Sequence, residues 1–161
     1  MSLPNIGSYD RQADASLILA DGAAASTATG YSLVAAATAT IDLGAAERCQ
    51  FDLVVDVSAI DVATGDENYL FRLVGSNDAT PFGTNIVPLT GMLELGDHST
   101  LGPAIPATVS DRGVGRYVIP CENVGMVSGV RTAFRYIRLH RTNVGATSNS
   151  VTYKAFLSKR G

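Results

Sequence analysis

The sequence predicts an all-β chain: two antiparallel sheets packed as a sandwich of jelly-roll type, preceded by an extended N-terminal arm. Three observations predict it. The composition is rich in Ala, Gly, Thr and Val and contains no Trp, and small and β-branched side chains fit a pleated, closely packed surface better than a helix. Apolar residues recur with period two in the segments where the signal is strongest. Clusters of Gly, Asn, Asp and Pro cut the chain into eight or nine such segments with no long helical period between them, a count that fits a sandwich or jelly roll. A length of 161 residues is that of one domain, which buries roughly 70% of the surface its unfolded chain exposes. Neither disulfide nor metal is needed to hold such a domain. No internal repeat or linker divides it, so residues 1–15 read as the arm and 16–161 as the domain.

The arm contains Pro4 and Gly7 and few apolar residues, but Leu3, Ile6 and Tyr9 recur at three-residue spacing. Such a segment is suited to lie across a neighbouring subunit and order there. Residues 16–20 are a short apolar run stopped by Asp21 and Gly22. Residues 32–43 (SLVAAATATIDL) read as one or two strands; alanine favours helix, but Gly30, Gly44 and the β-branched residues between them oppose it. In residues 49–58, Phe51, Leu53, Val55 and Val57 alternate with Gln50, Asp52, Val54 and Asp56, the pattern of a strand with one buried face. Residues 69–74 repeat it with Tyr69, Phe71 and Leu73 on one side. A strand follows at 85–95, with Pro88 demoting part of it to an edge or bulge. Residues 96–113, with Pro103 and Pro106, read as a long loop or an irregular crossover. Strands at 116–121, 134–142 and 151–158 finish the chain, the last two joined by NVGATSNS, a turn suited to a hairpin.

The charge and cysteine content exclude several classes. The net charge of −3 divides into thirteen carboxylates against three arginines in residues 1–100, and two carboxylates against nine basic residues in 101–161. Either this split drives head-to-tail attraction between subunits, or strands from both halves interleave and the charges cancel. Cys49 and Cys121 lie far apart without CxxC spacing; they read as reduced thiols in strands, and pair only if the fold brings those strands together. The opening MSLPNIGSYDR lacks a basic start followed by an apolar run, so no secretory leader is expected. The most apolar stretch, 17–41, is broken by Asp21, Gly22 and Gly30 and does not read as a membrane span.

No constellation of residues reads as an active site. Asp97, His98 and Ser99 are the residue types of a catalytic triad, but adjacent residues cannot present them at the mutual geometry the chemistry needs. His140 has no second histidine or carboxylate beside it in sequence, and two histidines with two scattered cysteines do not make a zinc site. Asp61, Asp66, Glu67 and Asn68 offer the oxygen ligands calcium prefers, without the alternating spacing of a dedicated loop. Neither GxxxxGK nor GxGxxG occurs. No cofactor is expected. Arg131, Arg135, Arg138 and Arg141, with Phe134 and Tyr136 among them, form the densest basic cluster. Interleaved cations and aromatics bind single-stranded nucleic acid, but Arg135 and Arg141 fall on the opposite strand face from Arg138. The cluster therefore reads as a partner-facing edge, with no nucleic-acid or membrane partner.

The segments YLFRLVGSNDATPF, GRYVIPCEN and FRYIRLHRTNVGATSNSVTYKAFLSK resemble small structural proteins encoded beside the major capsid gene of tailed phages, the capsid decoration or cement proteins. The likeness covers residues 50–159, and SLPNIGSYDR shares its character. It implies a β-sandwich that oligomerises with itself and sits on the capsid exterior between major capsid subunits, made in the host cytoplasm and found in the virion. Leu3, Ile6, Tyr9 and the four arginines are then the candidate contacts. LVGSNDATPF and RYIRLHRT also resemble discoidin-type jelly rolls, which bind sugars or lipid head groups through loop tips. Those domains usually carry tryptophans and paired terminal cysteines, which this chain lacks.

Overall fold

The computed structural model describes residues 17–62, 67–78, 80, 82–96, 113–145 and 149–159. The arm with Leu3, Ile6 and Tyr9, the Asp97-His98-Ser99 triplet and Asp66 lie outside them. The described residues contain no α-helix; strand accounts for most of the chain.

In chain order the strands are β1 (Ile18–Asp21), β2 (Gly30–Tyr31), β3 (Leu33–Val34), β4 (Ala37–Thr38), β5 (Ile41–Asp42), β6 (Gln50–Ile60), β7 (Asn68–Ser76), β8 (Val87–Gly96), β9 (Gly115–Val127), β10 (Val130–Ala133), β11 (Tyr136–Val144) and β12 (Val151–Lys159). Ten of them form one antiparallel sheet in the order β1-β12-β6-β9-β8-β7-β11-β2, with β10 on β9 and β5 on β11; β3 and β4 pair as a separate ribbon. The alternation read in sequence sets the interior. Phe51, Leu53, Val55 and Val57 of β6 and Tyr69, Phe71 and Leu73 of β7 are all buried in one core with Ile137 and Leu139 of β11 and Tyr153, Ala155 and Leu157 of β12.

The sheet is strongly curled. β7 and β12 stand four strands apart along it, about 19 Å if it were flat, yet the rings of Phe71 and Tyr153 meet edge to face at 4.8 Å. The curl turns at β8, whose register shifts against both β7 and β9. Gly91 sits at this corner with φ 93°, where an added Cβ would lie 2.5 Å from the Cys121 Sγ. Only glycine allows that backbone and that approach. Residues 18–42 then strap the open side. β1 pairs with β12, Ser26 exchanges hydrogen bonds with Val151 (2.9 and 3.2 Å), and β2 and β5 pair with β11. Parts of the outer sides of β12 and β11 are thus paired by one segment, whose short strands β1 and β2 become the ends of the sheet.

Several expectations are corrected. Residues 32–43 are not one or two strands. They carry β3, β4 and β5, because Ala35 and Ala36 turn the chain with φ 49° and 63° and the Asp21 carboxylate accepts the Ala35 N–H at 2.7 Å. The strand expected at 134–142 begins at Tyr136, since Phe134 bonds back to the Asn123 carbonyl at 2.8 Å. The last two strands are no hairpin: β11 pairs with β7, β2 and β5, and β12 with β6 and β1. Each already has partners on both sides, so the chain between them crosses from one half of the sheet to the other. Cys121 stands opposite Phe51, while the backbone of Cys49 bonds to Asn123 (2.8 and 3.3 Å). That is a diagonal placement across β6 and β9; the two cysteines are not joined to each other, and the Cys121 Sγ donates to the Ile119 carbonyl at 3.3 Å. Charges of the two halves meet: Asp42 pairs with Arg135, Asp56 with Arg116, and Arg48 with Glu122, which also takes Arg131 from its own half.

Candidate interaction surface

The outward side of β2, β11, β7 and β8 gathers the charged and aromatic groups. β11 alternates as a half-buried strand must: Ile137 and Leu139 point into the core, and Tyr136, Arg138, His140 and Thr142 are only partly buried on the other side. The register lays out a grid. One row runs Tyr31–His140–Arg72–Met92 across the four strands, and the next runs Arg138–Val74–Pro88.

Arg138 is fixed on this face by three neutral partners. Its Nε donates to Thr40 Oγ1 at 2.7 Å, and its guanidinium lies 4.2 Å from the Phe82 ring centre and 5.2 Å from that of Tyr31. Tyr31 in turn meets Phe82 and His140 edge to face, at 6.1 and 5.3 Å. Cation–π contacts of this kind contribute about 0.5–2 kcal/mol, more as water is excluded. Phe82 reaches the cluster from the connection between β7 and β8 with φ 64°, a left-handed conformation uncommon for a bulky residue. The Asp78 carboxylate holds that turn by accepting from the Thr84 and Asn85 backbone N–H groups (3.3 and 3.0 Å) and the Asn85 amide (3.0 Å). These bonds keep the Asp78 carboxyl below its ordinary range.

Beside the cluster, a groove of about 300 Å³ is lined by Tyr31, Leu70, Arg72, Ile86, Pro88 and His140 among others. Arg72 donates to the Met92 sulfur at 3.2 Å. Among the described residues neither Arg72 nor Arg138 has a carboxylate within 4.0 Å. His140 is held below its ordinary range by burial, then by the charges of Arg141 and Arg72. The groove therefore offers positive charge above an apolar floor, with exposed Ile86 and Met92 at its rim.

The four arginines read from the sequence occupy four different settings. Arg138 is the face residue. Arg135 is a clamp: its Nε and Nη2 each lie 2.7 Å from an Asp42 oxygen, and this pulls the Asp42 carboxyl to about 2 and ties β5 to β11. Arg131 lies on the exposed β10 and pairs with Glu122 at 3.1 Å. Arg141 is not a surface contact, because it points inward beside Ile137 and Leu139 and is buried. Sequence reading missed Tyr31, Phe82 and Arg72. Arg72 was within reach, since it alternates with Phe71 and Leu73 and so must face outward.

A second surface lies on the β9–β10 hairpin. Val124–Val127 pair with Val130–Ala133 around a Ser128-Gly129 turn, and Met126, Val127 and Val130 at its end are 59%, 40% and 64% exposed. Val127 and Val130 stand opposite each other beside the turn and share one face, while Met126, opposite Arg131, falls on the other face. Among the described residues no helix is long and apolar enough to cross a membrane. No group of three or more His, Cys, Asp or Glu among them is placed to hold a metal ion. No protein-family model, curated protein or solved structure matches the chain.

Proposed function

We propose that the protein is a structural virion component that binds the exterior of a tailed-phage capsid as a homo-oligomer and reinforces contacts between major capsid subunits. It performs no chemistry. The observation that carries this reading is the cross-strand pair Val127 and Val130 beside the β9–β10 turn: both side chains are exposed and gain by burial against a partner. The resemblance of residues 50–159 to decoration proteins gives the partner's class. The Arg72–Arg138 face adds cations that need acidic partners.

The finer fold in this proposal is a jelly-roll sandwich. Its support is the strand order: β1-β12-β6-β9 would make one sheet and β8-β7-β11-β2 the other. The chain then crosses between them six times, after β1, after β5, after β6, after β8, after β10 and after β11, as interlocked Greek keys require. A carbohydrate- or surface-binding module, for instance on a virion fibre, is the second reading; the Tyr31–His140–Arg72 groove favours it.

A cement protein stabilises by binding the assembled shell better than its parts, and an oligomer that bridges capsomers engages several weak sites at high effective concentration. Mass spectrometry of purified virions should therefore find the chain in many copies. Purified protein added to undecorated capsids should raise their disruption temperature, and Val130→Asp should lower occupancy. Binding to a glycan array with no effect on capsids would replace this reading with the second.

A further inference from the structure

Arg141 carries a second site. Its residue is only 4% exposed, and a buried guanidinium is costly unless it is paired. Its partners are neutral: Nε donates to Asn143 Oδ1 at 2.6 Å, Nη2 donates to the Ala28 carbonyl, and Nη1 lies 3.5 Å from the Tyr153 hydroxyl. That hydroxyl is already engaged with Ser32 Oγ at 2.6 Å. Among the described residues no carboxylate lies within 4.0 Å of Arg141. A guanidinium has five N–H groups, so two are left without an acceptor. The Asn143 Nδ2 beside it is buried and has none either. Donors are in excess around this guanidinium.

Next to this excess lies a pocket of about 410 Å³ between the strap and the sheet, lined by Arg141, Tyr153 and residues of 20–36. Ala20, Ala24, Ala28, Leu33 and Ala36 contribute to its lining together with Ser26, Thr27 and Thr29, so it offers room for a compact body that is in part apolar. Asp21 also lines it, with its oxygens taken by the Ala23 and Ala35 N–H groups at 3.0 and 2.7 Å. Its charge opposes any anion, and a dianion about twice as strongly as a monoanion. We infer that this pocket binds a small monocarboxylate with a compact apolar body, whose oxygens take the free N–H groups of Arg141. A carboxylate supplies both the acceptors and the counter-charge, whereas water supplies only acceptors.

The test uses isobutyrate as probe, isobutyramide as its neutral isostere and inorganic phosphate as the dianion, followed by amide chemical shifts of the full chain. Isobutyrate should shift the Gly22, Ala28 and Gly30 amides saturably at millimolar concentration, as a ligand of so few atoms must. Isobutyramide and phosphate should bind at least about tenfold more weakly. Arg141→Gln should abolish saturation. Ala24→Leu, an exposed strap position whose larger side chain fills the pocket, should do the same without changing the melting temperature, and it decides the matter if Arg141→Gln does not fold. Equal binding of acid and amide, tighter binding of phosphate, no saturable shift at all, or an Ala24→Leu variant that binds like the parent would each overturn the assignment.

Discussion

The curl of the sheet can be measured through one pair of rings. Phe71 on β7 and Tyr153 on β12 are both buried and meet edge to face at 4.8 Å, although along the sheet they are separated by β8, β9 and β6. Aromatic pairs of this geometry contribute about 0.5–1.5 kcal/mol beyond the area they bury. Residues about 19 Å apart, as in a flat sheet, would add independently to within about 0.3–0.5 kcal/mol. Phe71→Ala alone should cost about 3–5 kcal/mol, since it leaves a cavity among buried neighbours, and this is a severe loss against a total of roughly 5–15 kcal/mol. The gentler Phe71→Leu and Tyr153→Leu make a double-mutant cycle possible. Tyr153→Leu also removes the 2.6 Å hydrogen bond to Ser32, but that term enters both sides of the cycle and cancels. Urea unfolding followed by circular dichroism should give a coupling of about 0.5–1.5 kcal/mol. A coupling within the additivity error would mean that the two halves do not face each other, and the fold described above would be wrong.

Gly91→Ala should destabilise by about 2–4 kcal/mol through overpacking and a left-handed backbone, because its Cβ would press on the Cys121 sulfur; urea midpoints check it. Asp42 is lowered from 3.8 to about 2 by the hydrogen bonds of Arg135 and the Gly44 N–H. Its folded value lies below its unfolded one, so its contribution is complete above about pH 4 and is lost as pH falls through about 2. Calorimetric melting temperatures should therefore drop more steeply between pH 4 and pH 2 in the parent than in Asp42→Asn, and parallel curves would refute the clamp. Replacing Arg72 and Arg138 together with Gln should reduce capsid occupancy at low salt, measured by co-sedimentation, and the difference should shrink as salt screens exposed charge.

The parts of this fold legible in the sequence are those where one side of a strand is buried and nothing else competes. In β6 and β7 the period-two pattern gave position and the core residues Phe51, Leu53, Val55, Phe71 and Leu73, and for β12 it gave the position. It did not show that Asp52 and Val54, on the other side of β6, are buried as well. The strap failed for a chemical reason. Its turn uses Ala35 and Ala36 where Asn-Gly would have announced it, and the compensation comes from Asp21, fourteen residues earlier. The end of the chain failed for a topological one: NVGATSNS has hairpin chemistry, but pairing is decided by edges already occupied. For the surface, parity correctly set Arg138 apart from Arg141 and would have exposed Arg72. Parity could not show that the inward face at Arg141 is core, nor that Phe82 returns over the sheet from a loop held by Asp78.

The charge division of the sequence takes a different meaning once the strands interleave. The acid-rich and base-rich halves meet within the molecule, through Asp42–Arg135, Asp56–Arg116 and Arg48–Glu122. Each of these pairs joins segments more than fifty residues apart. Charges that neutralise one another across strands are not available to attract a neighbouring subunit, and exposed pairs of this kind add little stability by themselves. Among the described residues, what these pairs leave for a partner includes Arg72 and Arg138 on the outward face and the exposed Met126, Val127 and Val130 of the β9–β10 hairpin. Binding through two unpaired cations and a hydrophobic tip should depend on salt far more weakly than the sequence asymmetry implies. Most of its strength should survive at ionic strengths where a charge-driven, head-to-tail contact would dissociate.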